Sequence, residues 1–261
     1  MIYAINFATS GYEKARSFNS RTAYKYGADK VIEYSLDDMD TAFSEKNREI
    51  LQQKRGSGYW LWKPYFINRA MGSCKEGDWV IYSDSGMIYR KSIRKYVDQL
   101  QCLGIEMLSR TTKFQERQYT KRDVFIELGC DTSEYTDTLQ RAASVIIIKN
   151  TERTRKMISE WLANAQNKHL ISDEKNIYGK NYREFIDHRH DQSLFSIICK
   201  KYQIDCNRDV FLDMVMPFHS RALLLDHHSK KDKYITAYLD SIGRVIKILY
   251  HDAVRKWSRK S

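Results

Sequence analysis

The stretch that decides the fold is Trp79–Gly86, which reads WVIYSDSG. Its first four residues are apolar, as in a strand that is buried on both faces, and Asp84 follows with two small residues. Upstream, strand-like segments at 2–7 and 30–34 alternate with helix-like segments at 11–26, 38–54 and 64–71. This alternation predicts an α/β protein with a parallel sheet and helices on both of its faces. Ligands of such sheets bind beyond the carboxyl ends of the strands, where we expect Asp84 to lie.

Downstream of Gly86 the sequence indicates more elements of both kinds. Helical spacing recurs in three segments, 92–103, 151–165 and 192–202. Strand-like apolar runs occur in two segments, 105–109 and 144–148. The segment 110–131 is polar and irregular, as expected of a substrate-binding loop region.

The composition is that of a globular protein, with 42% apolar and 30% charged residues. The five cysteines follow no metal or disulfide spacing, which predicts reduced thiols in a cytoplasm. No apolar run is long enough to span a bilayer, and we expect Met1–Phe7 to be a first strand and not a signal peptide. The motifs GxxxxGK[ST], GxGxxG, GxSxG and HExxH are absent, so the functions that depend on them have no support.

The net charge of +11 is concentrated in the last part of the chain. Residues 230–261 hold nine basic and three acidic side chains, a net charge of +6. Apolar residues in 234–259 recur at steps of three and four, which predicts an amphipathic helix with a basic face. Such a helix binds anionic membrane surfaces. The alternative is that its apolar stripe packs on the protein's own core or on a partner chain.

Three motifs carry the candidate chemistry, and the first is Asp84-Ser85-Gly86 at the end of the central apolar strand. A carboxylate at a strand end can help to hold Mg²⁺ or Mn²⁺ together with a diphosphate, because both ions prefer oxygen ligands. Small residues beside it let a ligand approach the backbone. The alternative is an ordinary β-turn, since Asp, Ser and Gly all favour turns.

The second motif is Gly56–Pro64, GSGYWLWKP, with three large aromatic residues in four positions. Tyr59, Trp60 and Trp62 offer flat apolar faces for a sugar or a base. Lys63 and the helical N–H groups after Pro64 form a candidate anion site. The alternative is a small cluster of core residues that caps the sheet.

The third motif is His188–Ser193, HRHDQS, just before a predicted helix. Asp191 has two interpretations. It is either the N-terminal cap of that helix, or a carboxylate beside a reacting anomeric carbon, where it stabilises positive charge or acts as base or nucleophile.

Taken in order, GSGYWLWKP, YSDSG, KRD (121–123) and HRHDQS resemble glycosyltransferases of capsule and lipopolysaccharide gene clusters. A related domain with the GT-A fold occurs in a chlorovirus rhamnosyltransferase. The resemblance covers about residues 1–228 and implies an α/β GT-A-like domain, a Rossmann-type mixed sheet with helices on both faces. It divides this domain into a donor half (1–90) and an acceptor half (91–228), followed by the basic helix in 229–261. It implies a hexosyltransferase-like enzyme that moves a sugar from a nucleotide diphosphate to a glycan or lipid-linked acceptor.

The resemblance also implies roles for individual residues. Asp191 and His190 are the expected catalytic residues. The expected donor-binding residues are Thr9, Ser10, Tyr59, Trp60, Trp62, Lys63, Ser83, Asp84, Ser85 and Gly86. The expected acceptor-binding residues are Lys121, Asp123, His188, Arg189 and Gln192. A divalent metal, Mn²⁺ or Mg²⁺, would be held by Asp84 and His228. The sequence departs from the usual Asp-x-Asp motif by having Asp-Ser-Gly, which places metal dependence in question.

Two other function classes compete with this interpretation. The basic charge and the eighteen tyrosines are compatible with a nucleic-acid-binding protein, since basic and aromatic loops grip single strands. A scaffold on the membrane without catalytic activity is the third possibility, but it gives the HRHDQS motif no task. The charge lies mainly in one tail, so we expect no nucleic acid partner and a peripheral location on the cytoplasmic face of a membrane.

Overall fold

Trp79–Ser83 is the central strand of a five-stranded sheet in the computed structural model, which describes residues 1–204 and 214–217. The strands of these residues are β1 (Ile2–Phe7), β2 (Lys30–Tyr34), β3 (Trp79–Ser83), β4 (Met87–Tyr89), β5 (Met107–Gln115), β6 (Leu139–Lys149) and β7 (Val215–Pro217). The large sheet has the order β2-β1-β3-β6-β5, and β4 pairs with β7 in a separate ribbon.

The helices cover most of the remaining described chain. They are α1 (Glu13–Lys25), α2 (Thr41–Lys46), α3 (Arg48–Leu51), α4 (Gly56–Tyr59), α5 (Trp62–Ser73), α6 (Ile93–Cys102), α7 (Glu116–Tyr119), α8 (Arg122–Glu127), α9 (Ser133–Thr136), α10 (Glu152–Ala165), α11 (Lys168–Ile171) and α12 (His190–Lys201).

The large sheet is mixed. Strands β1, β2 and β3 are parallel, whereas β6 runs antiparallel to both β3 and β5. Alternate residues of each strand point to opposite faces, so Val80 and Tyr82 pack in one core and Trp79 and Ile81 in the other. Helices α5, α10 and α12 cover the first face, and α1 and α6 cover the second. The predicted α/β class, a mixed sheet with helices on both faces, is confirmed.

Both halves of the predicted domain contribute to this one sheet, because β6 of the second half lies directly beside β3 of the first. The predicted boundary at residue 228 and the predicted basic helix lie outside the described residues. Within the described residues, no helix combines the length and the apolar character that crossing a bilayer requires.

Two predicted segments differ from the structure. The single polar helix expected over 38–54 is interrupted at Asn47, a buried residue whose side chain donates to the Phe43 carbonyl 2.9 Å away. The segment 110–131 is not irregular. Strand β5 continues to Gln115, because β6 starts early enough for Leu139 to pair with that residue, and two short helices follow.

Parallel strands bring two chain segments to one edge of the sheet. The carboxyl ends of β1 and β3 lie side by side, so the Ala8–Thr9 segment and Asp84 leave the sheet together. Asp84 then begins a tight turn in which the Met87 N–H donates to the Asp84 carbonyl at 2.9 Å. The turn interpretation of this motif is therefore correct, and it remains compatible with a ligand site at the same edge.

Candidate active site

Two cavities meet at the carboxyl edge of the sheet. The first, here called the strand-end chamber, has a volume of about 410 Å³. Its lining includes residues that follow β1 and β3, among them Phe7, Thr9, Asp84 and Ser85. The second, here called the His190 chamber, has a volume of about 440 Å³ and is lined by Lys63, Asp84 and residues 187–192. Both chambers share Trp60 and Asp84, so these two side chains form the boundary between them.

The wall between the chambers is a left-handed turn. Five successive residues, Gly56 to Trp60, have positive φ angles between 50° and 93°. The Tyr59 N–H donates to the Arg55 carbonyl and the Trp60 N–H to the Gly56 carbonyl, at 2.8 and 3.2 Å. Left-handed geometry costs about 1–2 kcal/mol for a residue with a side chain, so packing must hold this turn in place. Strained backbone of this kind is found most often at functional sites.

Aromatic side chains supply that packing. The Trp62 ring stacks on Phe7 with centroids 3.8 Å apart, and its indole N–H donates to the Gly56 carbonyl at 3.0 Å. A Cβ atom on Gly56 would lie 2.3 Å from the Trp60 ring, so only glycine fits beneath that indole. Both interpretations of the aromatic motif are partly correct. Tyr59 and Trp62 are buried core residues, whereas Trp60 is half-buried and lines both chambers.

Lys63 forms ion pairs with Asp84, which lines both chambers, and with Asp191, which lines the His190 chamber. Its side chain is buried, and its Nζ lies 3.0 Å from Asp191 Oδ2 and 3.5 Å from Asp84 Oδ1. Burial by itself lowers the pKa of Lys63, but the charges of Asp191 and Asp84 outweigh that effect and raise the pKa. Lys63 is therefore protonated at neutral pH. The Tyr82 hydroxyl, on β3, donates to the same Asp84 Oδ1 at 2.6 Å.

Asp191 is a buried carboxylate with an incomplete set of partners. Burial, together with the nearby charge of Asp84, raises its pKa to about 6, although Lys63 acts in the opposite direction. Its Oδ2 accepts no hydrogen bond of normal geometry within the described residues. The helix cap position is occupied by Arg189, and Asp191 lies in the first turn of α12. The cap interpretation of Asp191 is therefore wrong, and its carboxylate lines the His190 chamber.

His190 presents an unused acceptor to this chamber. Its Nδ1 lies 2.7 Å from the Ile171 carbonyl and must donate to it, so Nε2 carries the lone pair. That buried Nε2 has no hydrogen-bond partner within residues 1–204 and 214–217. Burial lowers the pKa of His190 below its usual value, which keeps the ring neutral. The backbone φ of +48° and stacking on Tyr59, 4.8 Å away, fix the orientation of the ring.

The other predicted acceptor residues divide into two groups. Arg189 and Gln192 line the His190 chamber. His188 contributes to its wall, but both of its ring nitrogens are used by backbone groups. Its Nε2–H donates to the Leu170 carbonyl and its Nδ1 accepts from the Lys121 N–H. Burial lowers the pKa of His188 well below its usual value, so it is a neutral structural residue.

Lys121 and Asp123 do not line either chamber. Lys121 is 2% exposed, and its ammonium donates to the carbonyls of His169 and Glu174. Asp123 is completely buried and accepts from the backbone N–H groups of Ile177 and Tyr178. The prediction that these two residues contact an acceptor is corrected. They hold the segment 169–178 against α8, because a buried charge requires such partners.

The predicted donor residues are not equally accessible. Thr9, Trp60, Trp62, Asp84 and Ser85 line the strand-end chamber, whereas Ser10 and Gly86 lie outside both linings. Ser83 is completely buried, and its hydroxyl accepts from the Asn19 amide at 2.8 Å and the Tyr89 hydroxyl at 3.1 Å. The prediction that Ser83 contacts a ligand is therefore corrected. Its side chain ties β3 to α1 and β4.

Two residues of the site, Tyr82 and Arg55, lie outside the predicted set. Tyr82 orients Asp84, as described above, and its position two residues before Asp84 on the same strand is a usable signal. Arg55 lines the His190 chamber and pairs with Asp187 at 2.7 Å and Asp173 at 3.2 Å. It directly precedes the GSGYW motif, but its two partners are more than a hundred residues away, and no local pattern predicts that pairing.

The donor set for a divalent metal is incomplete in the described part of the chain. No group of three or more His, Cys, Asp or Glu residues lies close enough there to hold an ion. Asp84 is half-exposed and supplies one carboxylate, whose Oδ1 already accepts from Tyr82. His228, the second predicted ligand, lies outside the described residues.

Comparison with known proteins finds no matching family model and no matching curated protein. Among solved structures, the chain is similar to the apo form of mouse xyloside xylosyltransferase 1, with 14% identity and a TM-score of 0.41, over 79% of this chain and 84% of that one. It is also similar to the apo form of the glycosyltransferase GlyE from Streptococcus pneumoniae TIGR4, with 12% identity and a TM-score of 0.42. That match covers 79% of this chain and 45% of GlyE. Likeness at this level does not decide what the chain does.

Proposed function

We propose that this chain is a nucleotide-sugar-dependent glycosyltransferase with a GT-A-like arrangement of donor and acceptor sites. The observation that carries the proposal is the position of Lys63 between Asp84 and Asp191, at the junction of two chambers. One chamber lies at the carboxyl ends of β1 and β3, and the other contains a buried carboxylate and a neutral histidine. A transferase that joins two substrates needs two such compartments with charged groups where they meet.

The donor occupies the strand-end chamber in this proposal. Trp60 and Tyr12 offer aromatic surface to a base or a ribose, and Lys54 and Ser57 offer polar contacts at the rim. The diphosphate lies toward Asp84, where the chamber meets the second one. Lys63 stays protonated there and offsets negative charge that develops on the departing diphosphate.

The reaction takes place at the boundary with the His190 chamber. An acceptor hydroxyl forms a bond to the anomeric carbon while the bond from that carbon to the diphosphate oxygen breaks, and the electron pair leaves with the diphosphate. Asp191, with a pKa of about 6, is ionised at neutral pH and takes the hydroxyl proton. His190 Nε2 accepts a hydrogen bond from a sugar hydroxyl and so orients the ring.

A divalent cation is an additional part of the proposal. Asp84 would hold one side of a Mn²⁺ or Mg²⁺ ion, with the diphosphate and His228 as further ligands. The ion would supply a positive charge to the leaving group. The departure from Asp-x-Asp makes the contribution of Lys63 larger than in a site with two acidic ligands.

The acceptor and the location are proposed from the sequence. We propose a glycan or lipid-linked acceptor of the capsule or lipopolysaccharide type, which the motif resemblance suggests. We also propose that the basic segment 234–259 binds the cytoplasmic face of an anionic membrane, where each nearby Lys or Arg contributes about 1 kcal/mol. Sedimentation of the full chain with phosphatidylserine vesicles tests this, and neutralising Arg255 and Lys256 is expected to weaken it. Equal sedimentation with neutral vesicles would contradict it.

A donor-turnover assay tests the proposed function. Nucleotide sugars with uracil, guanine, cytosine and thymine bases are incubated with the protein, and the release of nucleotide is measured by chromatography. We expect release from one donor, loss of it in Asp84→Asn and Asp191→Asn, and normal release in Asp37→Asn. Asp37 is an exposed carboxylate far from both motifs in the chain and is a charge-matched control. Normal release in either site variant would remove that residue from the mechanism.

A further inference from the structure

Arg189 is the one cation of the His190 chamber that has no acidic partner within the described residues. The chamber is lined by three basic side chains, Arg55, Lys63 and Arg189. It is also lined by three carboxylates, Asp84, Asp187 and Asp191.

Ion pairing accounts for two of the three cations. Lys63 is paired with Asp84 and Asp191, and Arg55 is paired with Asp187 and with Asp173 outside the lining. Both histidines of the chamber are held neutral by burial. Arg189 is therefore the basic side chain of this lining that forms no ion pair in the described part of the chain, although three cations and three carboxylates balance in the lining as a whole.

Two aromatic rings lie against the Arg189 guanidinium. Its central carbon lies 4.7 Å from the Phe114 ring centroid and 4.8 Å from that of Tyr119. The two centroids are 4.6 Å apart, so both rings lie on one side of the group. Cation–π contact restricts the position of the guanidinium without using its N–H donors. Its Nε is buried and has no hydrogen-bond partner among residues 1–204 and 214–217. The backbone N–H of the same residue donates to the Tyr119 carbonyl at 3.0 Å, which fixes the start of the side chain.

A fixed guanidinium with free in-plane donors is suited to a carboxylate or a phosphate, both of which present two oxygens at the matching spacing. A neutral sugar offers no such pair of charged oxygens. The position of Arg189 in the His190 chamber, and its absence from the lining of the strand-end chamber, separates it from the proposed nucleotide.

We infer that the acceptor of this enzyme carries an anionic group, a carboxylate or a phosphate, which Arg189 binds beside the accepting hydroxyl. This inference rests on the proposed function, because it takes the His190 chamber as the acceptor site. It identifies the substrate class as an acidic glycan or a phosphorylated one, and it gives Arg189 the role of a specificity-determining residue.

Three probes that share one sugar ring test the inference. They are methyl glucoside, methyl glucuronide and glucose 6-phosphate, which are neutral, carboxylated and phosphorylated. Dissociation constants are measured by ligand-observed NMR titration on the full chain. A charge-assisted pair of hydrogen bonds predicts that at least one anionic probe binds about tenfold or more tightly than the glucoside. The preferred anion then distinguishes a carboxylated acceptor from a phosphorylated one.

Variants test whether Arg189 causes the preference for anionic probes. Arg189→Gln is expected to remove the preference by weakening the anionic probes far more than the glucoside. Arg189→Lys is expected to keep part of the preference, since lysine keeps the charge but loses the fork. Arg183→Gln removes an exposed arginine outside both chamber linings and is expected to change nothing. Circular dichroism checks that each variant is folded. Equal affinity for all three probes, or an equal loss for neutral and anionic probes in Arg189→Gln, would overturn the inference.

Nucleotide binding separates this inference from the proposed function. If Arg189→Gln loses affinity for the nucleoside diphosphate that the wild type binds, then Arg189 belongs to the donor and the inference is wrong. If the wild type binds no nucleotide diphosphate but keeps an Arg189-dependent preference for anions, then the proposed function fails and the anion site remains. Preserved nucleotide affinity together with a lost anion preference supports both.

Discussion

The Nζ of Lys63 lies 3.0 Å from Asp191 Oδ2, although 128 residues separate the two along the chain and both side chains are buried. The same ammonium lies 3.5 Å from Asp84 Oδ1. Removing one partner of a buried pair is usually costly, because the remaining charge has no compensation. Here the carboxylate keeps a raised pKa even with its partner present, so it holds a proton far more readily than an ordinary aspartate.

The first prediction concerns the pH dependence of transfer. Asp191 must be ionised to take a proton, and its pKa is about 6. Turnover is therefore expected to fall as the pH drops through about 6, along a limb that reports one ionisation. Initial rates between pH 5 and pH 8 with the best donor check this. A rate that stays constant down to pH 5 would show that Asp191 does not act as the base.

The second prediction concerns stability and follows from the same pKa with its sign worked out. A carboxyl whose pKa is about 6 in the folded chain and 3.8 in the unfolded chain favours folding when it is protonated. That contribution is complete below pH 3.8 and is lost as the pH rises through 6, a difference of about 3 kcal/mol. Asparagine cannot ionise, so Asp191→Asn is expected to be more stable than the wild type at pH 8, with the gap closing toward pH 4.

Urea unfolding at pH 4, 6 and 8 measures this gap. Asp37→Asn is the control, because an exposed carboxylate should give a small difference that hardly varies with pH. A gap between Asp191→Asn and the wild type that is the same at all three pH values would contradict the assignment of the raised pKa.

The third prediction concerns Lys63→Met. Lys63 is the main group that lowers the pKa of Asp191, so its removal is expected to raise that pKa further above 6 and to move the acid limb of the rate profile to higher pH. Loss of a fixed positive charge at the leaving group is expected to reduce turnover about a hundredfold or more at any pH. Lys46→Met, in an exposed position on α2, is the control. An acid limb that stays in place would show that the two residues are not coupled.

The fourth prediction concerns the left-handed turn. Gly58 has a φ of +93°, and a Cβ there would lie 2.8 Å from Leu51 Cα, so Gly58→Ala combines backbone strain with overpacking. We expect a loss of about 2–4 kcal/mol in the free energy of unfolding. Gly72→Ala is the matched control, because that glycine lies in α5 with nothing within 4 Å of the added atom, and alanine there is expected to stabilise by about 0.5–1 kcal/mol. Equal effects in urea unfolding would contradict the described turn.

Several features of the fold and site were predictable from the sequence. Local signals give β1 and β2 at the bounds that the structure shows, and they place Asp84 at the end of the central strand. These predictions succeed because apolar runs and turn residues act over a few positions. The aromatic motif is also visible locally, and the structure places Trp60 at the boundary of the two chambers.

Other features depend on contacts that sequence spacing does not encode. Strand β6 lies antiparallel between β3 and β5, and strand order cannot be deduced from alternation alone. Ser57, Tyr59 and Trp60 have positive φ angles that no propensity favours. Contacts with distant residues hold the turn, among them the rings of Tyr59 and Trp60 against His190. Lys121 and Asp123 are buried because they bind partners about fifty residues away in the chain. Their polar segment resembles a binding loop in sequence, but these two side chains lie inside the protein.

Thermal unfolding with added nucleotides shows most directly whether the strand-end chamber is a donor site. Thermal unfolding of the full chain is followed with UDP, GDP, CMP and dTDP, each with and without Mn²⁺, for the wild type and Asp84→Asn. A ligand that binds the native state raises its stability by mass action. We expect one nucleoside diphosphate to raise the unfolding temperature of the wild type. Mn²⁺ is expected to increase this shift if Asp84 holds a metal. Asp84→Asn is expected to reduce the shift. If none of the nucleotides raises the unfolding temperature of the wild type, with or without Mn²⁺, the strand-end chamber is not a donor site and the claim is contradicted.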